Sequence, residues 1–180
     1  MHDIKTMSDL FQRAGEKSNT GITFIAGKDK IEFISYKDIY QQSLVLLSHL
    51  ENFGVKPGDE VVFQIEDNHE FLLSFWACIL GGFVPVPVSI GENYEKKVKV
   101  MKIWDGLNNP YLLTSKKQNL QFETFFANYN GRDVLSLSLK TILLESIDMH
   151  ASPSCSVYDP DPQELAFIQY SSGSTGDPKG

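Results

Sequence analysis

The sequence is short of cysteine, of positive charge and of uninterrupted apolar stretches, and each shortage excludes something. Two cysteines, Cys78 and Cys155, in 180 residues make neither a disulfide framework nor a metal site. Cys78 lies in an apolar run and reads as a buried core thiol, so the expected compartment is the cytoplasm. Sixteen Lys and Arg against 23 Asp and Glu leave a net charge of −7, which repels nucleic-acid phosphates and argues against such a partner. The opening "MHDIKTMSDLF" has neither the basic start nor the apolar centre of a signal peptide. His2, His49, His69 and His150 are scattered, with no ligand spacing to a cysteine, so no metal centre is expected. No internal repeat is present. One charge-free run, Phe71 to Val88, approaches the length of a membrane span. Gly81, Gly82, Pro85 and Pro87 would break it in lipid, and it parses better as a buried helix (69–80), a glycine turn and a short strand (83–88).

What the chain does have is alternation. "SDLFQRAGEK" predicts a short helix over 8–17 with Ser8 as N-cap. "ITFIA" and "IEFIS" around "GKDK" predict a hairpin. Ser35 and Asp38 resemble a capping box opening an amphipathic helix, which Gly54 ends. Lys56-Pro57-Gly58-Asp59 then turns the chain into "EVVFQI". Strand 60–65, helix 69–80 and strand 83–88 make a βαβ unit. "ENYEKKVKVMKIWDGLN" follows as a helix with Lys96, Lys97, Lys99 and Lys102 on its solvated side and Tyr94, Val98 and Met101 facing inward. "YLLTS" is a strand, Phe122, Phe125, Phe126 and Tyr129 repeat at helical spacing, and "LKTILLE" is another strand. The expected class is α/β, a largely parallel sheet with flanking helices plus an N-terminal β-hairpin.

Residues 146–164 carry the Ser, Pro and Asp bias of a surface connection. The apolar run 165–171 reads as a strand delivering "YSSGSTGDPKG" (170–180). Ser171, Ser172, Ser174 and Thr175 supply hydroxyls there, Gly173 and Gly176 allow close backbone approach, and Lys179 supplies an ammonium, the set that phosphate oxygens require. A flexible Gly/Ser tail is the alternative. The run is neither a Walker A loop, since Lys179 stands between Pro178 and Gly180, nor GxGxxG.

"YSSGSTGDPKG" resembles the phosphate-binding signature of adenylate-forming enzymes: acyl-CoA synthetases, fatty acyl-AMP ligases and the adenylation domains of peptide synthetases. "ISYKDIY" (34–40), "GVKPGDEVVF" (54–63) and "WACILGGFVPVPV" (76–88) resemble further segments of the family, so the resemblance spans the chain. Val84 to Val88 read "VPVPV" where amino-acid-activating members commonly carry an aspartate, and "IQYSSGSTG" is closer to the fatty acyl-AMP ligase and polyketide-loading side.

The resemblance implies an ATP- and Mg2+-dependent ligase that turns a carboxylic acid into an acyl-adenylate. The acyl group would then pass to the phosphopantetheine thiol of a carrier protein, in a polyketide or nonribosomal peptide synthase. By the same resemblance Ser171, Ser172, Gly173, Ser174, Thr175 and Gly176 wrap the phosphates. Lys179, with Thr175, acts on the departing pyrophosphate. Residues 1–180 would then be the N-terminal part of an adenylation domain, with 165–180 its strand and phosphate loop. The 180-residue chain alone is expected to be inactive, to have no membrane partner, and to self-associate through a sheet edge near 165–171. A stand-alone phosphate- or nucleotide-binding module, or a non-catalytic α/β interaction domain, is the alternative.

Overall fold

A computed structural model describes residues 4–25, 31–91, 93–129, 134–171 and 180. Helix α1 (Met7–Ala14) opens on a reciprocal capping box. Thr6 Oγ1 accepts the Asp9 amide at 3.1 Å, and the Asp9 carboxylate accepts the Thr6 amide at 3.0 Å. The cap is therefore Thr6, two residues before the expected Ser8, which is buried inside the helix. Strands β1 (Gly21–Ile25) and β2 (Ile31–Ser35) form the expected antiparallel hairpin, with Gly21 opposite Ser35 and Ile25 opposite Ile31.

Helix α2 (Tyr36–Phe53) starts at Ser35, whose hydroxyl accepts from the Asp38 amide and donates to the Asp38 carboxylate at 2.6 Å. Asp38 thus bonds the Ser35 hydroxyl, where a capping box would have its side chain reach the Ser35 amide. Gly54 closes the helix at φ 105°, and Gly58 at φ 88° completes the Lys56–Asp59 turn, where the Asp59 amide donates to the Lys56 carbonyl at 2.9 Å.

Four parallel strands follow: β3 (Glu60–Gln64), β4 (Val84–Pro87), β5 (Tyr111–Thr114) and β6 (Thr141–Leu143), in the order β4-β3-β5-β6. Helix α3 (Asn68–Gly81) connects β3 to β4, α4 (Tyr94–Gly106) connects β4 to β5, and α5 (Lys116–Asn128) leads toward β6. Because strand side chains alternate, the sheet separates two cores. Val61, Phe63, Tyr111 and Leu113 pack with α2 and α3. Val62 and Leu112, one position along, pack with Val100, Met101 and Phe122 of α4 and α5. A sheet covered on both faces explains the uninterrupted apolar strands.

One local expectation changes. The inward residues of α4 are Val100, Met101 and Ile103, whereas Tyr94 is 68% exposed and sets its ring edge-on to Phe125, centroids 5.6 Å apart. Residues Val134–Ser138 form a short helix, α6, where no element was expected.

After a 3-10 turn at Leu144–Ser146 the chain runs back as a largely exposed connection that is stitched down. The Ser154 amide donates to Ser48 Oγ at 2.8 Å, the Cys155 thiol to the Leu44 carbonyl at 3.4 Å, and the Tyr158 amide to the Leu80 carbonyl at 2.8 Å.

Candidate functional site

The segment that leads into the hydroxyl- and glycine-rich run lies along the outer edge of β4. Glu164, Leu165 and Ala166 share a small cavity with Gly82 and Phe83, just before β4 begins. Two residues on, the Ile168 amide donates to the Pro85 carbonyl at 3.1 Å. The segment therefore advances parallel to β4 and brings Ser171 to the carboxyl end of the sheet, where ligands of open α/β sheets bind. Its side chains alternate. The Phe167 ring meets Phe75 of α3 at 5.7 Å, while Ile168 and Tyr170 pack against the core on the opposite face. Gly180 lies against this same segment: a Cβ there would sit 2.9 Å from Tyr170 Cε1 and 3.0 Å from Ile168 Cγ2.

Residues 165–170 nevertheless form no regular ladder, unlike the expected strand. The reason is in the sequence of β4. The amides of Val84 and Val88 donate inward to Asp59 and Phe63, at 2.9 and 3.4 Å, so the even-numbered residues face β3. The odd-numbered residues, Pro85 and Pro87, face outward and have no N–H to give. The edge accepts hydrogen bonds and donates none.

Of the residues expected to hold phosphate, Ser171 is placed by the structure at the head of this edge. Ser172, Gly173, Ser174, Thr175, Gly176 and Lys179 lie outside the described residues.

The other place where a ligand could sit is the point at which strand order reverses, between β3 and β5. It is filled. The Thr114 hydroxyl donates to the Gln64 carbonyl at 3.0 Å, and Gln64 Nε2 donates to the Val88 carbonyl at 3.1 Å. Glu66 accepts from Gln118 Nε2 at 2.7 Å and pairs with Lys117 at 3.5 Å. The Glu145 carboxylate takes the Lys116 amide at 2.9 and 3.0 Å, occupying the first turn of α5 where an anion would otherwise bind. Beside these carboxylates Glu70 is held above the ordinary carboxylate range, by burial first and then by the charges of Asp67 and Glu145. Carboxylates gathered at this rim disfavour phosphate there, which leaves the β4 edge as the better candidate.

A cavity of about 390 Å3 near this rim is lined by Gln42, Leu46, His69, Glu70, Leu73 and His150 among others. His69 Nε2 is buried there without a hydrogen-bond partner among the described residues, its ring edge-on to Phe24 at 5.1 Å. Sequence reasoning set the histidines aside, and no metal-ligating cluster of three exists among the described residues. No described helix is long and apolar enough to cross a membrane. Burial pushes the Cys78 thiol far up, as expected of a core cysteine.

A four-stranded parallel sheet with helices on both faces, and a segment that runs along its β4 edge to Ser171, define an open α/β fold. The family model for AMP-binding enzymes matches residues 11–180. The chain belongs to that family. It superposes on McyG A-PCP, solved with phenylalanyl-adenylate, with a TM-score of 0.84 and 32% identity, covering all of this chain and 28% of that one. Gramicidin S synthase 2 of Brevibacillus brevis is 26% identical over 176 residues, 98% of this chain and 4% of its own length. Long-chain-fatty-acid–CoA ligase 5 of Rattus norvegicus is 25% identical over 99% of this chain and 29% of its own length. The chain thus spans less than a third of each of these proteins.

Proposed function

We propose that this chain forms the N-terminal part of an ATP-dependent ligase that activates a carboxylic acid as its acyl-adenylate and passes the acyl group to a carrier-protein thiol. The observation that carries the reading is the path of 165–171, which leads Ser171 to the carboxyl end of the sheet while Gly180 lies back against Tyr170. The segment that precedes the signature run thus ends at the sheet edge, on the far side of β3 from the acidic rim.

In the first step a carboxylate oxygen attacks the α-phosphorus of ATP. The bond to the bridging oxygen breaks, and pyrophosphate leaves with the electron pair. Catalysis of this kind needs positioning and charge neutralisation more than covalent help. Ser171, Ser172, Ser174 and Thr175 offer hydroxyls, the glycines offer unobstructed amides, and Lys179 places an ammonium by the leaving group. Mg2+ would arrive with the nucleotide and share that neutralisation; the donor set, in which Asp177 is the one acid between 171 and 180, suits a magnesium-nucleotide better than a free cation. In the second step the carrier thiolate attacks the acyl carbon and AMP departs. A thiol on a phosphopantetheine arm and a cytoplasmic setting fit the resemblance to peptide synthetase adenylation domains.

The test is ATP–pyrophosphate exchange with a panel of fatty, keto, aryl and amino acids. A longer protein containing this chain should catalyse exchange with at least one of them, and the 180-residue chain alone with none. Exchange by the short chain would overturn the assignment of this piece as incomplete, and no exchange by the longer protein would overturn the activity. Sedimentation of the short chain tests the expected self-association, with a monomer at all concentrations as the contrary result.

A further inference from the structure

The two prolines of β4 have a consequence beyond placing the edge. In a parallel ladder, a residue whose amide donates to residue i of its neighbour returns its own carbonyl to the amide of residue i+2. Ile168 donates to Pro85, so its carbonyl faces the nitrogen of Pro87, which carries no hydrogen. One rung earlier, the Ala166 carbonyl would need the amide of Pro85. Both return donors are missing, and both missing donors fall on the same edge because the prolines are two residues apart. Side chains supply the remaining hold: Phe167 on Phe75 from one face, Ile168 and Tyr170 from the other. Leu165 stays 62% exposed.

We propose that Pro85 and Pro87 are positioning residues for the nucleotide step: they hold 165–171 by a one-sided ladder, so that the segment presenting Ser171 adjusts along β4 during turnover without breaking paired rungs. The edge also cannot complete a ladder with any foreign strand, which reserves it for this segment. The functional half of the inference rests on the ligase reading; the structural half does not.

The experiment gives β4 its donors back. Pro85→Val, Pro87→Val and the double variant are compared with the unaltered chain by amide hydrogen exchange, with Val62 and Leu112 as reporters of an intact sheet. Each restored rung should slow exchange at Ile168 and Tyr170 about fivefold, the worth of one ordinary hydrogen bond, and the double variant should show the product. If the prolines serve only to stiffen β4, removing them loosens the strand, and exchange at 168–170 speeds up. Faster or unchanged exchange overturns the proposal. Where a valine disturbs the sheet reporters, Pro85→Ala and Pro87→Ala carry the same donor on a smaller side chain.

In a longer, active protein the double variant should lower the turnover number of ATP–pyrophosphate exchange severalfold while leaving the ATP Michaelis constant unchanged or lower. A raised Michaelis constant with unchanged turnover refutes the positioning role. Inactivity of the unaltered longer protein would sink the ligase reading alone, since the exchange result on the short chain stands apart from it.

Discussion

Gly82 is the point where helix, turn and return segment meet, and replacing it by alanine tests how firmly they are joined. It caps α3 at φ 68°, its carbonyl accepts the Gly58 amide at 2.8 Å, and the Tyr158 ring covers it. Two costs follow. A side chain in the left-handed region costs about 1 kcal/mol. An added Cβ would also stand 2.4 Å from Tyr158 Cδ1 and 2.7 Å from Cγ, closer than such atoms approach. The ring must therefore move, at about 1–3 kcal/mol for overpacking. Gly82→Ala should lose about 2–4 kcal/mol in urea unfolding. In a Tyr158→Ala background only the backbone part should remain, about 1 kcal/mol, leaving a coupling energy of about 1–3 kcal/mol between the two positions. Equal losses in both backgrounds would refute the contact, and with it the anchor that holds the chain just before the edge segment.

Three further outcomes are expected. In a longer active protein Lys179→Ala should lower the adenylation rate on the order of 100-fold with a smaller change in ATP affinity, and Thr175→Ala should act more mildly; steady-state exchange kinetics separate the rate from the Michaelis constant. Glu70, whose acidity is weakened in the folded chain, binds its proton more tightly folded than unfolded, so its charge costs stability above its folded pKa and costs nothing below its unfolded one. Glu70→Gln should thus raise stability at neutral pH and lose that advantage as pH falls below the ordinary glutamate value, which urea melts across pH will show. Cys155, half-buried, should react with a maleimide in the native chain, while Cys78 should react only on unfolding, as peptide mapping of a labelling time course would reveal.

The layer architecture was legible because its signals were local and agreed. Ser35 before an amphipathic run, Gly54 after it and the Pro57-Gly58 turn each state their own geometry, and the unbroken apolar runs of β3 and β5 announce burial on both faces. The misreadings came where the neighbourhood overrode the pattern. Ser8 looked like a cap until Thr6, paired with Asp9, captured the helix start. The apolar run 165–171 reads as a strand by itself, and only the position of Pro85 and Pro87 opposite it shows why its ladder stays incomplete. That clue was visible in "VPVPV", but its meaning depends on which edge the odd residues face. The closure of the β3–β5 reversal point by Glu66, Gln118 and Glu145 joins residues far apart in sequence and leaves no motif.

The stitches on the return segment bear on the order in which the molecule assembles. Ser154 reaches Ser48 across 106 positions, and Cys155 reaches Leu44 across 111. The β3–α3–β4 unit, by contrast, closes within 28 residues, from Glu60 to Pro87. Closing a longer loop costs more chain entropy before any contact repays it, so the local unit is expected to form first and the return segment to dock late. Late docking means early release. A protease that nicks the exposed stretch around Ala151–Pro153 would cut between the sheet and the edge segment, leaving the parallel core folded and residues 154–171 held to it by non-covalent contacts alone.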